Sequence, residues 1–157
     1  MKVVGLDLGG TKIAAGVFDG KRLLSKVVVP TPKEGGERVA EALAEAAERA
    51  EREAGVRGEA IGLGTPGPLD FRRGVIRFAP NIPGVQDFPI RRILEEATGR
   101  PVFLENDANA AALAEHHLGA AQGEESSLYL TVSTGIGGGV VLGGGVALNA
   151  PEGYWEA

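Results

Sequence analysis

An α/β fold with a mixed sheet follows from three features of the sequence. Residues 1–30 hold three short apolar runs separated by Gly9-Gly10 and Asp19-Gly20, the spacing of an antiparallel meander. Beyond them, stretches of helical period alternate with short apolar runs of strand type. The first helical stretch has an apolar face made mostly of alanine, which suits close packing on a sheet. Three antiparallel strands followed by such alternation place helices over a mixed sheet. A Rossmann fold would alternate from its first strand.

Taken in order, strands are expected over residues 3–8, 12–18 and 23–29, with Gly9-Gly10 and Asp19-Gly20 turning the chain because both pairs tolerate positive φ. A helix is expected over 37–54, where Val39, Leu43, Ala46, Ala47, Ala50 and Ala54 form one stripe and Gly55 supplies a left-handed stop. Residues 60–64 make a buried strand that Thr65-Pro66-Gly67-Pro68 breaks, and 75–79 a hairpin-like stretch before the loop Asn81-Ile82-Pro83-Gly84. A second helix covers 89–98, closed by Gly99, and a strand 101–104. The alanine-rich run 107–118 is helical and ends at Gly119. The polar run 122–127 marks a boundary between a first lobe, residues 1–121, and the start of a second, 122–157. A strand over 128–132 then leads into clustered glycines.

Composition narrows the chemistry. Of 157 residues 25 are glycine, more than twice the roughly 7% of an average protein. With 43% apolar residues and a net charge of −5, the chain should fold rather than stay disordered. The absence of cysteine excludes disulfides and thiolate zinc sites. The early Asp7 and the lack of a long apolar run point away from a signal peptide or a membrane span, so a cytoplasmic protein is expected, with no membrane partner. Mild acidity without a basic block gives no nucleic-acid footprint.

Three motifs can carry chemistry. In Asp7-Leu8-Gly9-Gly10-Thr11-Lys12, a carboxylate at a strand end precedes a glycine turn and a hydroxyl. Asp7 can face a hydrated Mg²⁺ while the turn's N–H groups and Thr11 approach phosphates; a plain hairpin with an incidental aspartate would read the same. In Ser133-Thr134-Gly135-Ile136-Gly137-Gly138-Gly139, glycines let the backbone approach an anion and two hydroxyls add donors. No Gly-Lys-Ser or Gly-Lys-Thr follows, so this is not a Walker motif. In Glu105-Asn106-Asp107, at a strand end opening a helix, Asn or Asp can cap the helix. One cap needs one residue, which leaves Asp107 able to take a proton from a hydroxyl nucleophile, acting mainly by orienting it. His116 and His117, near the end of that helix, read as surface residues or partners of its C-terminal dipole.

In this order and spacing, Asp7 to Lys12, Gly64-Thr65-Pro66-Gly67, Glu105 to Asp107 and Leu130 to Gly139 resemble the ROK family of bacterial sugar kinases and repressors, and among its members the glucokinases. The resemblance covers nearly all of residues 1–142. It implies an actin-like ATPase (ribonuclease H-like) fold of two lobes over a cleft, here one complete lobe and part of a second. It further implies an ATP-dependent kinase that phosphorylates a hexose hydroxyl, with glucose 6-phosphate the favoured product. Asp7, Gly9, Gly10, Thr11 and Lys12 would face the ATP phosphates, with Asp7 holding Mg²⁺ through water. Ser133, Thr134, Gly135, Gly137, Gly138 and Gly139 would form the second phosphate loop. Gly67, Asn81, Glu105, Asn106 and Asp107 would meet the sugar, with Asp107 the general base. The resemblance also implies a homo-oligomer, dimer or tetramer, at full length.

The tail departs from the pattern. The family's Gly-Glu-x-Gly-His sugar motif and cysteine-rich zinc site do not follow the second phosphate loop. Instead, residues 140–157 look like a later strand-to-helix segment, with Asn149 and Pro151 as helix-start residues. The expectation is a chain that joins an early segment to a later one, or is part of a longer protein, and that has little kinase activity alone. Two further readings are a sugar-responsive regulator and a catalytically silent sugar-binding module. The regulators carry a helix-turn-helix module ahead of the first motif, and six residues precede Asp7 here, which favours the enzyme.

Overall fold

The three opening runs form β1 (Lys2–Leu8), β2 (Lys12–Asp19) and β3 (Arg22–Pro30), paired antiparallel as expected. The computed structural model describes residues 1–132 and 136–146. By contact the chain divides into two compact units, Met1–Glu105 and Asn106–Ala157.

In the first unit, α1 (Gly36–Ala54) follows the meander, and β4 (Ala60–Thr65) pairs parallel with β1. With β8 (Val102–Asn106) these strands give the order β3-β2-β1-β4-β8, the mixed sheet that the sequence implies. Leu43, Ala46, Ala47 and Ala50 of α1 are all buried against the sheet, and Ser25 of β3 donates its hydroxyl to the Ala50 carbonyl at 2.7 Å. Alanine at these positions lets the helix axis come close, while Leu43, fully buried, contributes roughly 1.5–3 kcal/mol. Between β4 and β8 lie β5 (Leu69–Asp70), β6 (Val75–Phe78), β7 (Gln86–Phe88) and α2 (Ile90–Thr98). The first three form a separate sheet of order β5-β6-β7. Neither β5 nor β7 was marked by periodicity, because two or three residues are too few to show any.

Where β4 and β8 begin, a buried ion pair closes the core. Arg100 Nη1 bonds Glu51 Oε1 and also donates to the Gly58 carbonyl at 2.9 Å, and the same carboxylate oxygen accepts from the Gly58 amide at 2.6 Å. The Ile61 amide donates to the Pro101 carbonyl at 3.0 Å, so the first residues of β4 and β8 lie side by side.

The second unit packs α3 (Asp107–Leu118) on a sheet of order β11-β10-β9, made of β9 (Ser126–Val132), β10 (Ile136–Leu142) and β11 (Gly145–Val146). The unit boundary therefore falls before α3 and not in the polar run at 122–127, because Ala108 and Ala112 are buried toward these strands. The register pairs Thr131 with Gly137, Tyr129 with Gly139 and Ser127 with Val141 on the face beneath α3. The opposite face carries Leu128, Leu130, Val132, Ile136 and Leu142, each more than half exposed. His116, read from the sequence as a surface residue or a partner of the helix dipole, lies in the last turn of α3 and is buried at 6% exposure, with Nδ1 2.9 Å from the Ser127 hydroxyl. His117 is exposed, its Nε2 3.1 Å from the Gly144 carbonyl. Gly119 ends α3 without the left-handed conformation, at φ −116°.

Candidate functional site

The described residues that the sequence singles out fall into two groups, one in each unit. In the first unit, Asp7 is exposed at the end of β1, opposite Ala14 on one side and Gly64 on the other. Because β1 and β4 are parallel, their ends carry the 9–11 turn and the 65–68 loop to the same edge of the sheet. Gly9 and Gly10 do not have the positive φ that the turn reading assumed. Glycine is needed there for close approach. A Cβ on Gly9 would lie 2.9 Å from the Lys12 carbonyl oxygen, and one on Gly10 2.9 Å from the Cβ of Asn81. The fold thus brings Asn81, from the loop after β6, against the first glycine turn. Its side-chain amide has no hydrogen-bond partner among the described residues.

The turn itself is tied back. The Gly9 amide donates to the Lys12 carbonyl at 2.9 Å, and the Thr31 hydroxyl to the Gly9 carbonyl at 2.7 Å. The Thr31 amide donates to the Thr11 carbonyl at 3.0 Å, and the Lys33 ammonium to the Gly10 carbonyl. Among the described residues, the Gly10 and Thr11 amides meet no acceptor. Thr11 and Lys12 are exposed, and Gly67 is buried in its loop. Thr31 and Lys33 were not singled out in the sequence. A threonine and a lysine just past a strand carry no motif, and only the pairing of Lys12 with Pro30 shows that they return to the turn.

In the second unit, Asn106 is the N-cap of α3, its Oδ1 accepting from the Ala108 and Asn109 amides at 3.0 and 3.2 Å. That settles which of the polar residues caps the helix. Asp107 is exposed, with Oδ1 accepting from the Ala108 amide at 2.8 Å. Glu105, which closes the first unit, is half-buried. Gly137, Gly138 and Gly139 lie within β10 rather than in a loop. Gly139 is buried, and a Cβ there would lie 2.6 Å from the Cβ of Ala112 and 2.8 Å from the Ala108 carbonyl oxygen. Close passage of α3 explains Gly139, while Gly138 faces the other way, toward Leu130. Ser133, Thr134 and Gly135 lie outside the described residues, as do Asn149 and Pro151.

Among the described residues no group of three or more His, Cys, Asp or Glu could cage a metal ion. A magnesium ion shared with phosphates needs only one or two carboxylates and keeps most of its waters. The exposed Asp7 beside an open pair of amides fits that modest requirement.

The family model for ROK matches residues 3–149. The chain belongs to the ROK family. A glucokinase of Thermotoga maritima is 41% identical over 151 residues, covering 92% of this chain and 45% of that protein. A crystal structure of a ROK hexokinase from Thermus thermophilus is 95% identical, with TM-score 0.91, over 98% of this chain and 50% of that one. A ROK glucokinase from Streptomyces griseus, solved with glucose and AMPPNP, is 39% identical with TM-score 0.87 and matches 100% of this chain and 48% of its own. This ROK chain spans about half the length of the relatives it matches, and over that half it has their actin-like ATPase fold. No helix among the described residues is long and apolar enough to cross a membrane.

Proposed function

We propose that this chain carries the donor turn and the general base of an ATP-dependent sugar kinase, which transfers the γ-phosphoryl group of ATP to a hexose hydroxyl. Glucose, giving glucose 6-phosphate, is the favoured substrate. The observation that carries the reading is the 9–11 turn, whose carbonyls are bound by Thr31 and Lys33 while two successive amides meet no acceptor among the described residues. Such an amide pair is a ready anion receptor. The likeness to a glucokinase solved with glucose and AMPPNP supports assigning nucleotide and sugar to this chain.

In this mechanism the Gly10 and Thr11 amides, the Thr11 hydroxyl and Lys12 bind donor phosphates. Asp7 would hold Mg²⁺ through water, and the ion would neutralise charge on the phosphates. Asp107 accepts the proton of the attacking hydroxyl and orients its lone pair toward the phosphorus. Asn106, whose oxygen caps α3, would meet the sugar beside Asp107. Gly67, Asn81 and Glu105 complete the sugar contacts, and residues 133–139 the second phosphate contact, with Gly139 supporting it from beneath α3. We further place the protein in the cytoplasm as a homo-oligomer, with neither nucleic acid nor membrane as partner.

The test is a coupled assay over a panel of hexoses with the complete gene product and its Asp107→Asn variant. Turnover should fall by roughly 10²-fold or more, the usual weight of a general base, with sugar affinity retained. A variant that works at the parent's rate overturns the base assignment. Sugar binding without turnover in the parent would instead favour a silent module.

A further inference from the structure

We propose that Thr31 and Lys33 are positioning residues for the phosphoryl donor, fixing the direction in which the first glycine turn presents its amides. This rests on the proposal that the turn receives phosphates. A trans peptide points its C=O and N–H in opposite directions. The Gly9 carbonyl and the Gly10 amide belong to one such plane, and the Gly10 carbonyl and the Thr11 amide to the next. Thr31 holds the first carbonyl through its hydroxyl at 2.7 Å, and Lys33 holds the second through its ammonium. The two amides opposite these anchored oxygens are the two that meet no acceptor among the described residues.

An unanchored Gly-Gly segment would not keep this arrangement. Glycine allows both peptide orientations at little steric cost, and a flipped plane would aim a carbonyl oxygen at the phosphate. Thr31 is suited to prevent it. It is 5% exposed, so its hydroxyl is shielded from competing water, and its own amide also binds the Thr11 carbonyl at 3.0 Å. The segment that follows β3 thus grips three consecutive carbonyls of the turn, those of Gly9, Gly10 and Thr11. Lys33 is exposed and brings a positive charge to the same place.

The experiment measures AMPPNP and glucose affinities separately by titration calorimetry on the complete gene product. The variants are Thr31→Val, Thr31→Ser and Lys33→Met, each checked by thermal melting. Thr31→Val should weaken AMPPNP roughly 3- to 10-fold, the effect of one hydrogen bond. Glucose affinity should stay unchanged, and Thr31→Ser should restore nucleotide binding. Lys33→Met should weaken AMPPNP more at low salt than at high salt, because its charge is solvent-exposed. If Thr31→Val binds AMPPNP as the parent does, or loses both ligands equally, the positioning role is wrong. A parent protein that fails to bind AMPPNP would refute the phosphate reading of the turn itself.

Discussion

Replacing Gly139 by alanine would insert a methyl group where α3 already passes. The added Cβ would stand 2.6 Å from the Cβ of Ala112, 2.8 Å from the Ala108 carbonyl oxygen and 3.1 Å from the Asn109 Cα. Non-bonded carbons rest at roughly 3.5–4.0 Å, so α3 would have to lift by about 1 Å. Two of the three obstacles are backbone atoms, and the third is a Cβ without a rotamer to change. Overpacking of this kind costs roughly 1–3 kcal/mol. In a small domain each kcal/mol lowers Tm by roughly 4–8 °C. Gly62→Ala is the control, since a Cβ there meets nothing within 4 Å. It should be neutral or stabilise by up to about 1 kcal/mol. Amide hydrogen exchange resolves the effect by element. In Gly139→Ala the amides of α3, β9 and β10 should exchange faster, while those of α1 keep the parent's rates. Unchanged exchange in α3 with weakened nucleotide binding alone would refute the packing reasoning.

Three further outcomes follow from the packing and the surface. Asn106→Ala removes the α3 cap and should cost about 1 kcal/mol of stability, whereas Asn106→Ser should recover most of it; denaturant melts of the two variants decide. Glu51→Ala leaves the Arg100 guanidinium buried without its carboxylate and should destabilise by roughly 3–5 kcal/mol, read as a lower urea midpoint; a loss below 1 kcal/mol would show that water replaces the pair. Leu130→Lys, on the exposed aliphatic face of β9, should reduce binding of a hydrophobic dye and self-association of the 157-residue chain, while the melting of α1 stays unchanged.

The meander and the first two helices were legible because each has a period long enough to count, and α3 because its alanine-rich run favours helix. In α1, Val39, Leu43, Ala46, Ala47 and Ala50 repeat over several turns, and all five are buried. The strands β5 and β7 escaped because their pairing with β6 is a tertiary fact. In the candidate site the sequence marked Asp7, the glycines and Asp107 through motif and spacing. It assigned the wrong physical reason to Gly9 and Gly10, since Gly9 is crowded by the Lys12 carbonyl within the turn and Gly10 by Asn81, in a loop some seventy residues away. For the same reason it passed over Thr31, whose importance lies in which carbonyl it reaches. Glu105-Asn106-Asp107 leaves both uses open in the sequence, and the structure assigns the cap to Asn106.

The outward aliphatic face of β9 and β10 makes protein concentration a variable in the stability of the second unit. Any molecule that settles on Leu128, Leu130 and Val132, another copy included, adds a mass-action increment to the strands beneath. The melting temperature of those strands should climb as the sample is concentrated. The first unit closes its core around Leu43, Ile61 and Leu63 and should melt at one temperature throughout a dilution series. A thermogram recorded at two concentrations would then separate the two units without any mutation.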